Sequence, residues 1–133
     1  MEYNNPSEIV KDLVFGSDAK KKIMKGVSKL ADAVETTLGA SGKCVIYEDA
    51  IGNPVITKDG VTVANSIVLL DPVENIGARL IKEAAQKTVK EAGDGTTTST
   101  VLASAILKQC LASDLELRDI KQSVEKAKEK ILK

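Results

Sequence analysis

The sequence predicts a mainly α-helical chain with one β-hairpin and a short N-terminal strand, and three observations carry that prediction. Apolar residues recur at steps of three and four along four long stretches. The period drops to two only once inside the chain, between residues 44 and 57. Aromatic residues make up only 2% of 133, so the core must be built from Ala, Val, Ile and Leu, with the charged residues on outer helix faces.

Taken in order, residues 1–16 read as an arm in which Ile9-Val10 and Leu13-Val14-Phe15 form an edge strand. Ser17 is the expected cap of the first helix, whose stripe is Ile23, Val27, Leu30, Val34 and Leu38. Gly39 is its expected stop. Val45-Ile46-Tyr47 and Val55-Ile56-Thr57 flank Gly52-Asn53-Pro54, which predicts a hairpin over 44–57. Asp71-Pro72-Val73-Glu74 is a helix start, with Asp71 as cap, Pro72 at the first position and Glu74 completing a capping box. Val73, Ile76, Leu80 and Ala84 give that helix its apolar side, up to about Ala92. Gly93-Asp94-Gly95 breaks it, and the next helix is expected to bury Val101, Leu102, Ala105 and Ile106. A last helix from about Asp114 carries Leu117, Ile120, Val124, Ala127 and Ile131 opposite a Lys/Glu face.

Composition narrows function. Nineteen basic residues balance nineteen acidic ones, so no basic field recruits nucleic acid or an anionic membrane. With no histidine, the commonest general base and zinc ligand are missing. Cys44 and Cys110 lie far apart and predict a reduced, buried pair. The polar start lacks the apolar core of a signal peptide, and no apolar run has spanning length, which predicts a soluble cytoplasmic protein.

Three segments interrupt the helical pattern with residues that expose backbone and bind ions. Thr37-Leu38-Gly39-Ala40-Ser41-Gly42 ends a helix; its glycines allow close approach to a ligand or simply cap the helix. Thr57-Lys58-Asp59-Gly60 follows a strand, and alone reads as a turn. Gly93-Asp94-Gly95-Thr96-Thr97-Thr98-Ser99-Thr100 runs from a glycine-flanked acid into a helix whose first turn is all hydroxyl. A helix start with free N–H groups suits phosphate, and Asp94 could hold Mg²⁺ there. A plain cap needs only one such residue, and β-branched Thr is a poor helix former, so the run exceeds capping. The Gly-Lys-Ser/Thr ending of a Walker loop is missing.

In order and spacing, Leu30-Ala31-Asp32-Ala33-Val34, Thr37-Leu38-Gly39, Ile56-Thr57-Lys58-Asp59-Gly60-Val61 and Ala92-Gly93-Asp94-Gly95-Thr96-Thr97-Thr98 resemble group I chaperonins, from about Lys11 onward. The resemblance implies that residues 1–133 are the N-terminal half of the ATP-binding equatorial domain, without the intermediate and apical domains. It implies one ATP pocket: Thr37, Leu38, Gly39 and Ala40 lining the nucleotide, and Gly95, Thr96, Thr97 and Thr98 on its phosphates. Asp94 would bind Mg²⁺, backbone oxygens of Thr37 and Lys58 would hold K⁺, and Asp59 would position the attacking water. Two departures stand out. Ala40 replaces the family's usual Pro, and Leu111 to Leu117 replace a longer Ala/Gly-rich turn. The family's second hydrolytic aspartate and its adenine-contacting residues lie later, so weak Mg-ATP binding is expected, with no appreciable hydrolysis by this chain alone. The expected partners are itself or fuller chaperonin subunits in a ring that assists protein folding, with unfolded clients met only through the other domains. The alternatives are a non-hydrolysing assembly protein derived from a chaperonin, a portion of a longer subunit, or a small nucleotide-binding module unconnected with folding.

Overall fold

In a computed structural model, which describes residues 13–133, five helices and one hairpin follow in order. They are α1 (Gly16–Glu35), β1 (Val45–Glu48), β2 (Pro54–Thr57), α2 (Gly60–Ser66), α3 (Pro72–Ala92), α4 (Thr96–Ala112) and α5 (Leu117–Ile131). The mainly α class and the single hairpin are as the periodicities predict. Of the N-terminal strand, Ile9-Val10 lie outside the described residues, and Leu13 to Phe15 are not in a strand. Nor does Ser17 cap α1. The chain enters through Phe15 and Gly16, whose left-handed φ of 70° costs glycine nothing, so Ser17 already sits in the first turn. Among the described residues no helix is long and apolar enough to cross a membrane.

The core lies where α1, α3 and α4 meet, with α2 tucked beside them. Val27, Leu30, Ala31 and Val34 of α1, Val63 and Ala64 of α2, and Ala78, Ile81 and Ala85 of α3 are buried. The α1 stripe is therefore as expected through Val34, but the helix ends at Glu35, and Leu38 is exposed in the turn beyond. Gly39 is in that turn with φ 73° and does not itself cap the helix.

On α3 the buried face is not the one the apolar spacing suggests. Ile76 and Leu80 are 51% and 53% exposed, while Glu74, Gly77, Ala78, Ile81 and Ala85 face inward. Close helix approach is the reason. A Cβ on Gly26 would stand 1.8 Å from the Glu74 carbonyl oxygen, and one on Gly77 would stand 2.1 Å from that of Ile23. Only glycine fits at these two contact points, and the face of α3 that they turn inward carries Ala78, Ile81 and Ala85 rather than Ile76 and Leu80. On α4 the buried residues are Thr96, Thr100 and Ser104, whereas Leu102 and Ile106 are exposed and Val101 and Ala105 are not buried. The fully buried positions of α4 are hydroxyl residues, with Val101 and Ala103 half-buried and Leu102 and Ile106 outside, contrary to expectation. The last helix starts at Leu117 rather than Asp114 and buries no residue. Cys44 is exposed and Cys110 half-buried, both free thiols, so the expected buried pair does not form.

Capping accounts for the helix starts that were expected. Asp71 accepts from the N–H groups of Val73 (2.8 Å) and Glu74 (3.2 Å), with Pro72 behind it. The Glu74 side chain does not close a capping box. Its oxygens accept from Lys25 (2.8 Å) and Lys29 (2.6 Å) of α1, where two cations outweigh one backbone N–H. Hydrogen bonds from Lys25 and then Lys29 hold the Glu74 carboxyl below its ordinary value of 4.5. Asp71, bonded by Lys22, is likewise lowered. A depressed folded value means a contribution present in full above the unfolded value and lost as pH falls through the folded one. Urea midpoints are therefore expected to hold between about pH 7 and 5 and to fall towards about pH 3. Glu74→Gln should flatten that fall, and an unchanged slope would remove Glu74 from the account.

The hairpin pairs β1 and β2 antiparallel, Val45 opposite Thr57 and Glu48 opposite Pro54. Its turn is set by Asp49, whose Oδ1 accepts from Ile51 and Asn53 N–H, both at 2.8 Å, and by Gly52 at φ 90°.

Candidate functional site

Three chain segments, far apart in sequence, converge where α1 ends and α2 and α4 begin. At the end of α1 the Thr37 hydroxyl donates to the Val34 carbonyl at 2.7 Å, and the loop turns back so that Lys43 N–H donates to Thr36 O at 2.7 Å. A Cβ on Gly42 would stand 2.4 Å from the Thr37 carbonyl oxygen, so glycine is required for that return.

The second segment was expected to be a turn and is the start of an unforeseen helix. Asp59 is the N-cap of α2: its carboxylate accepts from Val61 N–H at 3.3 Å, Thr62 N–H at 2.9 Å and the Thr62 hydroxyl. The Thr62 hydroxyl, then the two N–H groups, lower the Asp59 carboxyl below the usual carboxylate range. Asp59 is therefore an anionic acceptor at neutral pH, suited to orienting a water and poorly suited to taking its proton outright. Asp59, a residue type favoured as a cap, just before Val61, Val63 and Ala64 was the available signal for this helix start, without the Glu or Gln three residues on that would have strengthened it. Lys58, just before it, is exposed.

The third segment joins α3 to α4. Gly93 closes α3 in the left-handed region at φ 77°, its N–H donating to Val89 O at 2.7 Å. Gly95, at φ 91°, is the N-cap of α4 and carries no side chain to satisfy that helix's first N–H groups. Asp94 between them is exposed, and its Oδ1 accepts from the Gly95 N–H at 2.7 Å.

The meeting point is Gly60. A Cβ there would stand 2.1 Å from Thr97 Oγ1 and 3.4 Å from Thr37 Oγ1. Thr37, Gly60 and Thr97 are thus neighbours, and glycine at position 60 is what leaves the Thr97 hydroxyl room. The threonine run itself divides. Thr97 faces this junction and Thr98 is exposed, but the Thr96 hydroxyl is buried in the protein without a hydrogen-bond partner among the described residues. Thr96 can offer a ligand its backbone N–H and not its hydroxyl. Leu38, Gly39 and Ala40 stand exposed in the loop after α1.

Among the described residues no group of three or more His, Cys, Asp or Glu could hold a metal ion unaided. Mg²⁺ ordinarily takes one or two carboxylates and completes its shell with water and substrate phosphates, and the single exposed Asp94 beside a helix N-terminus fits that donor set.

A mainly α domain with a hairpin between its first two helices, and with these three segments brought to one place, is the architecture of a chaperonin equatorial-domain fragment. The chain belongs to the TCP-1/cpn60 chaperonin family, whose model matches residues 30–133. Among solved structures it is similar to the chaperonin gp146 from the bacteriophage EL 2 (Pseudomonas aeruginosa), crystallised in the presence of ATP-BeFx. In crystal form II the TM-score is 0.73 and the identity 37%, over 84% of this chain and 20% of that one. In crystal form I the TM-score is 0.69 at 37% identity, over 79% and 19%. The chain thus spans about a fifth of the length of the chaperonin chains it matches.

Proposed function

We propose that this chain is the phosphate-holding part of an ATP-dependent chaperonin subunit, binding Mg-ATP weakly and acting in the cytoplasm within a ring that assists protein folding. The observation that carries this is the junction of Thr37, Gly60 and Thr97 beside the uncapped start of α4. Free N–H groups of residues 96–98 and the positive end of the α4 dipole would receive phosphate oxygens. Asp94 would bind the Mg²⁺ that neutralises them, and the backbone oxygens of Thr37 and Lys58 would hold K⁺. Asp59, already anionic, would orient water, and Leu38, Gly39 and Ala40 would line the nucleotide. Gp146, a family member at 37% identity, was crystallised with ATP-BeFx, which supports ATP as the nucleotide. Calorimetry with ATP is expected to show binding that requires Mg²⁺ and discriminates little against GTP. Absence of binding at millimolar ATP would overturn the reading. No appreciable hydrolysis by this chain alone is expected, and steady turnover would overturn that expectation, while its loss in Asp59→Ala would still support the role of Asp59.

Assembly is part of the same proposal. Leu102, Ile106 and Leu111 of α4 and Leu117, Val124 and Ile131 of α5 are each at least 40% exposed, and α5 buries nothing. Apolar surface of that extent favours association, with further copies or with fuller chaperonin subunits. Light scattering is expected to give a mass above 14.1 kDa, with binding of a hydrophobic dye. A dye-free monomer that unfolds cooperatively would contradict it.

A further inference from the structure

The α2 helix has only seven residues, too few to hold its shape alone. Its apolar side is fixed by Val63 and Ala64 in the core, which leaves its two ends to be placed separately. The N-terminal end carries the Asp59 cap and Gly60, pressed against Thr97. The C-terminal end presents carbonyls with no helical partner, and α3 supplies one. Lys82 Nζ donates to Ile67 O at 2.6 Å and reaches Asn65 O at 3.5 Å, while Gln86 Nε2 lies 3.4 Å from Asn65 Oδ1. A cation at a helix C-terminus also meets the negative end of the dipole. Burial, with a smaller push from Arg79, lowers the pKa of the Lys82 ammonium, consistent with an amine drawn into the protein to make these bonds. The same α3 ends ten residues later at Ala92 and passes through Gly93 into Asp94 and the start of α4. One rigid helix therefore carries both the anchor for α2 and the turn that faces the other end of α2.

We propose that Lys82 is a positioning residue: by tying the C-terminal end of α2 to α3, it sets where Asp59 and Gly60 stand against the Asp94–Thr98 turn. Its effect on nucleotide rests on the function proposed above; its effect on α2 does not.

Lys82→Met keeps the aliphatic stem and removes the donor. Amide exchange of Val61 and Thr62, the two N–H groups that Asp59 caps, is expected to accelerate about tenfold, the scale of one charge-assisted bond. The Leu30 and Val34 amides in α1 should keep their wild-type rates. Mg-ATP affinity should fall by about three- to tenfold, and in an Asp59→Asn background the same change should add less than about twofold, because both act through one element. Additive losses would mean that Lys82 does not act through Asp59. Unchanged exchange at Val61 and Thr62, or uniform acceleration throughout the core, would overturn the proposal. If the wild-type chain binds no Mg-ATP, the function falls and the exchange result still decides the anchor. Should Lys82→Met not fold, Lys82→Gln, which is too short to span the gap, is read by the same amides with the same expected result.

Discussion

Gly77→Ala is expected to destabilise the chain by about 3 kcal/mol, although in an ordinary helix interior the same change stabilises by up to ~1 kcal/mol. The sign is decided by what the new methyl meets. It would stand 2.1 Å from the Ile23 carbonyl oxygen and 2.9 Å from its carbon, both backbone atoms of α1 that no rotamer change can move. The helices must separate, and the packing of Val27 and Leu30 against Ala78 and Ile81 goes with their separation. For a chain of this size the melting temperature should fall by about 10 °C. Gly26→Ala meets the Glu74 carbonyl at 1.8 Å across the same crossing and should cost a similar amount. The double variant should cost less than the sum, since one separation relieves both clashes. A Gly77→Ala melting temperature within about 2 °C of wild type would show that the crossing is loose.

Asp94→Ala should weaken Mg-ATP binding by about one to two orders of magnitude, the loss of one charge-assisted contact of ~1.5–3 kcal/mol. Asp94 is exposed, so stability should change by no more than about 0.5 kcal/mol. Asp94 also shapes its own turn, accepting from the Gly95 N–H at 2.7 Å, and Asp94→Asn separates the two roles. The amide oxygen can still accept that bond but brings no charge to a cation. Calorimetry at saturating Mg²⁺ should place Asp94→Asn near Asp94→Ala. Wild-type affinity in Asp94→Asn would leave Asp94 as a turn residue and take the metal role away.

Several features were determined by the sequence alone, because their causes are local. The four long helices follow from apolar steps of three and four. The start of α3 follows from Asp71 and Pro72, its end from Gly93, and the hairpin from a single change of period. The three segments that converge on Gly60 were legible as short motifs in a fixed order, a property of composition and spacing. The short α2 was not, since Asp59-Gly60 is equally good as a turn, and only burial of Val63 and Ala64 makes a helix there worthwhile. Which faces are buried was decided by tertiary structure. A stripe such as Ile76 and Leu80 shows that a helix has an apolar side but not which neighbour covers it. At the α1–α3 crossing the backbones approach so closely that only glycine fits at positions 26 and 77, and the face of α3 turned inward with Gly77 carries Ala78, Ile81 and Ala85 while Ile76 and Leu80 stay outside. On α4 it is Thr100 and Ser104 that lie inside and Leu102 that lies outside. At the α1–α3 contact points steric exclusion between closely approaching backbones decides which face of α3 turns inward, and that approach exists only once the helices have packed.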